Sequence, residues 1–326
     1  MLKSLKYILF LLISVLLMYF AFKDQNLPEI ISKLSSIEYK WLILSILCGA
    51  LAFVSRGLRW IYLINALGYK ASRKNSINSV AVGYLTNILI PRAGEISRCT
   101  SLQQVEKIPF DKLFGTIILE RVIDFAILIT FILITLLYKF NEINLLFSKV
   151  FEGSTGSFIT NPEKLFLISI ILIIFIYSVI IDFKNRIKKL SFYKKIVKII
   201  IGLKIGFSSI KELKNKTPFI LHTIFIWAMY LLMTYVCFFA INETKNLNLF
   251  DGVYITVIGG LGMVVPSQGG IGSYHFAVKL GLVGIGIGVQ SALLFAFAVH
   301  TAQTLMAIVF GIISSLLLLS HKKNNE

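Results

Sequence analysis

The sequence predicts an all-α integral membrane protein, and three observations carry that reading. Hydrophobic residues make up 56% of the 326-residue chain and charged residues only 15%, against roughly 45–50% and 25% in soluble domains. Apolar runs of about the 20 residues a bilayer demands recur along the chain. The net charge of +17 is concentrated in segments that alternating spans place on one side. With a mean hydropathy of +0.81, these features exclude a soluble globular domain. They also exclude a disordered chain, which needs low hydrophobicity. Three cysteines cannot form a disulfide framework. Cys48 and Cys237 fall in apolar runs and Cys99 in a polar loop, so no redox or zinc role is expected.

Six runs read as full spans: Leu5–Phe22, Trp41–Leu63, Leu113–Leu137, Leu165–Ile181, Phe219–Ile241 and Val289–Leu319. The first resembles a signal peptide in its basic flank, Lys3 and Lys6. Its end, Tyr19 to Lys23, has no small-x-small cleavage pattern, so an uncleaved span is expected. Two further stretches, Ile77–Ile90 and Val253–Val265, stop at Pro91 and Pro266. Their roughly 14 residues rise about 20 Å, short of a core of about 30 Å. They are expected as half-helices of re-entrant hairpins at about 77–107 and 252–285. Irregular backbone at membrane depth needs cover from protein or a wet cavity. Were both stretches to cross instead, the count would rise from six spans to eight.

The charge distribution sets the expected orientation. Lys3 and Lys6, then Lys70, Arg73 and Lys74, then the loop 183–216, then Lys322 and Lys323 fall on one side when six spans alternate. The 183–216 loop alone sets eleven basic residues against Glu212. Segments 23–40, 138–164 and 242–251 are near neutral. Both termini are therefore expected in the cytoplasm. The positive charge is topological and calls for no nucleic-acid partner. Within the basic loop, Lys194–Leu213 reads either as an interfacial stretch on anionic lipid or as an ordinary cytoplasmic segment.

The chain reads as one membrane domain, 1–326, of two related halves, 1–140 and 160–320. At an offset of 175 residues, Pro91-Arg92-Ala93-Gly94-Glu95-Ile96 falls on Pro266-Ser267-Gln268-Gly269-Gly270-Ile271. Both read Pro-x-x-Gly-x-Ile and both follow a short apolar stretch. Three spans per half is an odd number, so the second half is expected inverted. Paired, interrupted segments of this kind point to a site near the midplane. The competing reading is that proline and glycine merely kink two helices.

Polar residues in expensive places supply the candidate site. Glu120, Arg121 and Asp124 lie in the third span, with Asp124 about 16 Å from its start. A charge there costs about 2.5–3.5 kcal/mol on insertion scales. Glu120 and Asp124 share a helix face, and Arg121 can pair with Asp124. Such residues mark a substrate path or pin helices together. Arg56 and Arg59, three apart near the end of the second span, either join them or snorkel to the interface. Arg92, Glu95 and Arg98 are expected as one charged helix stripe, beside a helix start whose free N–H groups suit an anion. Guanidinium grips phosphate in bidentate fashion. In the second hairpin, Gln268, Gly269, Gly270 and Gly272 offer close backbone approach to a headgroup or ion. His275, His300 and Gln303 follow, and an isolated membrane histidine usually serves packing. No metal-ligand spacing, Walker loop, nucleophile elbow or zincin signature is present. No cofactor is expected.

Three motifs, Ile90-Pro91-Arg92-Ala93-Gly94-Glu95-Ile96-Ser97-Arg98, Glu120-Arg121-Val122-Ile123-Asp124 and Pro266-Ser267-Gln268-Gly269-Gly270-Ile271-Gly272, stand in an order that resembles the lysylphosphatidylglycerol synthase transmembrane-region family, also called flippase-like or UPF0104-type. The resemblance covers about residues 5–318. It implies a domain that binds or moves phospholipid or glycolipid across the bacterial inner membrane. The family's full synthases append an aminoacyl-transfer domain. This chain ends six residues past Ser320, so it is expected not to be an enzyme. By motif, the implied site residues are Pro91, Arg92, Gly94, Glu95, Arg98, Glu120, Arg121, Asp124, Pro266, Gly269, Gly270 and Gly272. A lipid flippase is the first expectation. A non-transporting lipid-binding partner of an envelope glycosyltransferase or lipid-modifying enzyme is the second. A lipid-modifying enzyme using Glu120, Asp124 or His275 is the third.

Overall fold

The structure, a computed structural model, describes residues 2–23, 27–140, 142, 212–213, 216–265 and 267–324. The expected span Leu165–Ile181, nearly all of the basic loop 183–216, and Pro266 lie outside the described residues. Ten α-helices and no strand occur among the described residues. They are α1 (Leu2–Phe22), α2 (Leu27–Lys33), α3 (Tyr39–Ala66), α4 (Arg73–Leu89), α5 (Gly94–Glu106), α6 (Phe110–Tyr138), α7 (Thr217–Tyr235), α8 (Leu249–Val264), α9 (Ser273–Gly284) and α10 (Val289–Asn324). Three are long and apolar enough to cross a membrane: α3, α7 with its 3-10 extension to Ala240, and α10 as far as His321. α6 has 29 residues and carries Glu120, Arg121 and Asp124 within its length. Large apolar side chains such as Leu47, Phe125, Leu133 and Leu316 stand bare on the outside of the bundle, as a lipid solvent allows.

Local chemistry sets the helix ends. α4 stops before Pro91, whose ring disfavours helical backbone at the preceding residue; Ile90 is accordingly extended. α7 opens with a proline in its first turn, where no N–H is needed. α8 opens with a capping box, the Asn248 side chain accepting from the Asp251 N–H while the Asp251 carboxylate accepts from the Asn248 N–H.

The two interrupted segments form helix–turn–helix hairpins with longer first arms than the apolar runs suggested. α4 has 17 residues and α8 has 16. The first hairpin is α4–α5. At its open end Glu106 accepts from the Ser72 N–H at 2.9 Å and from Asn75 Nδ2 at 2.7 Å. Near its tip the Gly94 N–H donates to Asn87 Oδ1 at 2.7 Å. Gly83 and Gly94 bring the two backbones together there. The second hairpin, α8–α9, closes on Gly262 against Ser273 and Ala277. Cys99, expected in a loop, is buried inside α5 against Trp60 and Leu102.

The open ends of the two hairpins lie near opposite ends of α3. The open end of the first sits beside the Ala66 end of α3, in a core of Trp60, Ile64, Leu102 and Ile108. The open end of the second sits at the Tyr39 end of α3. There the Glu38 N–H donates to the Ala240 carbonyl at 3.0 Å, Lys245 meets Glu38 at 2.7 Å, and Lys139 meets Asp251 at 2.7 Å. Residues from the three near-neutral segments thus share one end. The two tips meet in the middle. Arg92 Nη2 donates to the Val264 carbonyl at 2.9 Å, and Gln268 Nε2 donates to the Leu89 carbonyl at 3.5 Å. Leu89 and Val264 are the last residues of α4 and α8, and they stand at the same 175-residue offset as the two motifs.

Candidate functional site

α3 and α6 cross so that the arginines of one face the carboxylates of the other. Arg56 Nη2 donates to Asp124 at 2.9 Å. Arg59 reaches Glu120 at 3.2 Å and Asp124 at 3.1 Å, and also donates to Thr223 of α7 at 3.3 Å. From α5, Arg98 Nη1 donates to the other Glu120 oxygen at 2.7 Å. Its guanidinium lies 3.9 Å from the centre of the Trp60 ring, a cation–π contact. The Trp60 indole N–H is anchored on Thr116 at 2.7 Å. Arg59 and Glu120 are 0% exposed, and Arg56, Arg98 and Asp124 are buried with them.

Among the described residues, this buried set holds three guanidiniums against two carboxylates, an excess of one positive charge. Five of its nitrogens, Arg56 Nε and Nη1, Arg59 Nη2, and Arg98 Nε and Nη2, make no hydrogen bond among the described residues. A buried donor without a partner costs about 1–3 kcal/mol. The cluster therefore has both charge and hydrogen-bonding capacity left for an anion. At its rim, Arg121 is half exposed and pairs with Glu95 at 3.4 Å and with Asp124 at 3.8 Å. That second pair adds no net charge.

A water-sized void of about 20 Å³ lies between Arg56, Arg98, Arg121 and Glu95. Tyr84, Asn87 and Glu95 line both this void and a larger cavity of about 450 Å³. The larger cavity runs between the two hairpin tips, with Pro91 and Arg92 on one side and Ser267, Gly269 and Gly270 on the other. Tyr84 and Tyr230 share a hydroxyl contact of 2.8 Å in its wall. Tyr84, Asn87 and Glu95 thus form the shared wall between the cavity and the void beside the guanidiniums.

The sequence-derived site residues are partly united. Arg56, Arg98, Glu120 and Asp124 converge, with Arg121 and Glu95 at the rim. Arg59, weighed above as an interfacial snorkel, is instead the most connected member. Arg92, Glu95 and Arg98 do not make one stripe. Arg92 sits in the turn with φ 63°, outside α5, while Arg98 points into the core. The first N–H of α5, at Gly94, is already taken by Asn87. The glycine turn of the second hairpin is also largely satisfied from within. The Gln268 N–H donates to Ser14 of α1 at 2.8 Å, the Gly272 N–H to His275 at 3.3 Å, and His300 donates to the Gly269 carbonyl at 3.0 Å. His275 and His300, expected as isolated packing residues, form a pair with ring centres 4.7 Å apart.

Residues 7–311 match the family described as the lysylphosphatidylglycerol synthase TM region. The chain belongs to this family. Within curated proteins it is similar to a UPF0104 membrane protein of Methanocaldococcus jannaschii, with 32% identity over 139 residues, 42% of this chain. The chain spans 41% of the length of that relative. No solved structure matches it. Membership of the lysylphosphatidylglycerol synthase TM-region family, together with the apolar helices, makes this a multi-pass membrane protein related to lipid handling.

Proposed function

We propose that this chain is a lipid translocator that moves a phospholipid or lipid-linked glycan across the inner membrane, with both termini in the cytoplasm. One observation carries the reading: a buried cluster with a surplus positive charge and five uncommitted guanidinium nitrogens, beside a cavity bounded by two hairpin tips. A headgroup carrying one phosphate charge would neutralise that surplus. Guanidinium holds such an oxyanion in bidentate fashion. In this reading the hairpins re-enter from opposite faces as parts of two inverted halves, Arg92 and Arg121 receive the headgroup, and Glu95 yields its place on Arg121 to it. Pro91, Gly94, Pro266, Gln268, Gly269, Gly270 and Gly272 shape the gates. No catalytic step is invoked.

The test is scrambling of a fluorescent phospholipid in vesicles holding the purified chain. Asp124→Asn and Arg92→Ala are each expected to reduce transport to the protein-free background while inserting normally. Transport at the wild-type rate by both would overturn the site assignment. Native mass spectrometry of wild type and Arg92→Ala/Arg98→Ala identifies the lipid, which only wild type is expected to retain. A wild-type chain that retains a defined lipid yet moves none would instead favour a non-transporting partner of an envelope glycosyltransferase or lipid-modifying enzyme, docked through the basic segment 183–216.

A further inference from the structure

We propose that His275 and His300 form a proton-binding site that releases the glycine turn of the second hairpin. The turn holds three glycines in left-handed backbone, Gly269 (φ 59°), Gly270 (φ 80°) and Gly272 (φ 82°). Each imidazole is tied to one end of it. The Gly269 carbonyl can only accept, so His300 places its proton on Nε2 and donates it there. The Gly272 N–H can only donate, so His275 keeps Nδ1 unprotonated to receive it. The closed turn therefore specifies one neutral tautomer for each ring.

A proton acts on the two rings differently. On His300 it leaves the bond to Gly269 intact, and the Thr304 hydroxyl, 3.5 Å from Nδ1, can turn to accept. On His275 it puts an N–H against the Gly272 N–H, and that bond is lost. With ring centres 4.7 Å apart, the pair accommodates one added charge, not two. His300 lines the cavity of about 450 Å³ and is the point of entry. His275 is the ring whose protonation opens the turn.

Few other charged or titratable groups surround the pair among the described residues. α9 itself brings Tyr274, whose ring is 5.0 Å from His300, and Lys279, one turn beyond His275. The Lys279 ammonium turns away to the Phe20 and Ala21 carbonyls of α1. α8 carries Tyr254, the 3-10 turn after α7 carries Cys237, and α1 carries Tyr19. Across the cavity stand Arg92 and Glu95 of the first hairpin and Tyr84 and Tyr230 of its wall. Among the described residues no carboxylate hydrogen-bonds either imidazole, so none of them holds a proton on the closed pair.

The sign follows from linkage. The closed turn cannot hold a proton on His275 without losing the Gly272 bond, whereas the open turn takes it there at an ordinary histidine value of about 6.5. The open fraction should rise about tenfold for each pH unit below that value, or about 100-fold between pH 8.0 and 4.5. Hydrogen exchange of the full chain in lipid nanodiscs, corrected for the intrinsic pH dependence, reads this directly. Peptides over 267–276 should exchange up to about 100-fold faster at pH 4.5, while those over 217–235 in α7 stay unchanged. His275→Asn keeps an acceptor that cannot titrate and should abolish the response. His300→Gln keeps a neutral donor, removes the competing site, and should move the midpoint to higher pH. Nitrogen-15 spectra of the four histidines in wild type should show one ring titrating with the same midpoint as the exchange. Equal exchange at both pH values in wild type, or a full response in His275→Asn, would overturn the proposal. The readout is turn opening and not transport, so it stands or fails separately from the translocator reading.

Discussion

Glu120 accepts from Arg59 and Arg98 at once, and Asp124 accepts from Arg56 and Arg59. The consequences of removing a charge are therefore unequal. Glu120→Gln leaves three buried guanidiniums with a single carboxylate among them, and breaking a buried pair in this way costs about 3–5 kcal/mol. Arg56→Gln leaves two against two. Asp124 keeps Arg59, and two donors without partners disappear, so stability should stay within about 1 kcal/mol of wild type. Thermal unfolding in detergent checks the contrast. Equal losses would mean that the third guanidinium is as integral to the fold as Glu120 and not in surplus. The ingredients were legible in the sequence: Arg56 and Arg59 three apart, Glu120 and Asp124 four apart. What the sequence could not show was that these pairs, 61 to 68 residues apart, face each other. Pairing at that separation is set by helix packing, so Arg59 read equally well as a snorkel. Arg98 was legible as charged, yet its burial depends on the α4–α5 hairpin folding it onto Trp60.

The hairpin is the element in which sequence and structure agree in kind and differ in extent. Proline marked where α4 stops. Its start lies four residues earlier than the apolar run, because the first turn, Arg73, Lys74 and Asn75, is polar and escapes a hydropathy reading. α2 was missed for the same reason, being a 7-residue helix with no long apolar run. The two hairpins should differ in their tolerance of an added methyl group. A Cβ at Gly94 would meet the Gly83 carbonyl and the Asn87 amide, and backbone cannot step aside. Gly94→Ala should therefore cost about 3 kcal/mol, the upper part of the overpacking range. At Gly269 the nearest atoms, of Ile88, are an ordinary 3.5 Å away, so Gly269→Ala should cost only about 1 kcal/mol for its left-handed backbone. Thermal midpoints in detergent would rank the two, and the reverse order would mean that the first hairpin does not close on its glycines. At the opposite end of the bundle, Lys245 and Lys40 lower the Glu38 carboxyl to about 2. Its stabilising effect should be complete above about pH 4.5, the ordinary value, and lost as pH falls towards 2. Comparison of wild type with Glu38→Gln across pH 2–6 should show a difference that shrinks on acidification. A difference that persists at pH 2 would show that charge is not what joins these segments.

At the scale of the molecule, the two hairpins hold each other shut. Each tip donates a side-chain hydrogen bond to the last carbonyl of the other hairpin's first helix. A helix C-terminus carries partial negative charge, so the Arg92 guanidinium at Val264 is favoured there. Arg92 adopts left-handed backbone to reach it, a conformation that costs a non-glycine residue about 1–2 kcal/mol. The pairing of two interrupted segments was legible from one six-residue motif at an offset of 175. The contact between tips was not, because it joins residues 172 and 179 apart. If the tips must part for a headgroup to pass, joining them covalently should stop transport without touching the charged cluster. Ile88 and Gly269 are suited to this, since a Cβ built on Gly269 lies 3.5 Å from the Ile88 Cα. That spacing places the two Cα atoms within the roughly 4.4–6.8 Å that a disulfide spans. The native cysteines Cys48, Cys99 and Cys237 are free and buried, so the background of unwanted pairing is low. The Ile88→Cys/Gly269→Cys chain, oxidised in vesicles, should lose lipid scrambling and regain most of it when a reductant is added. Each single variant should respond to neither treatment. A fully oxidised chain that still moves lipid at the wild-type rate would show that the tips stay together during transport, and the path would then have to lie outside the cavity between them.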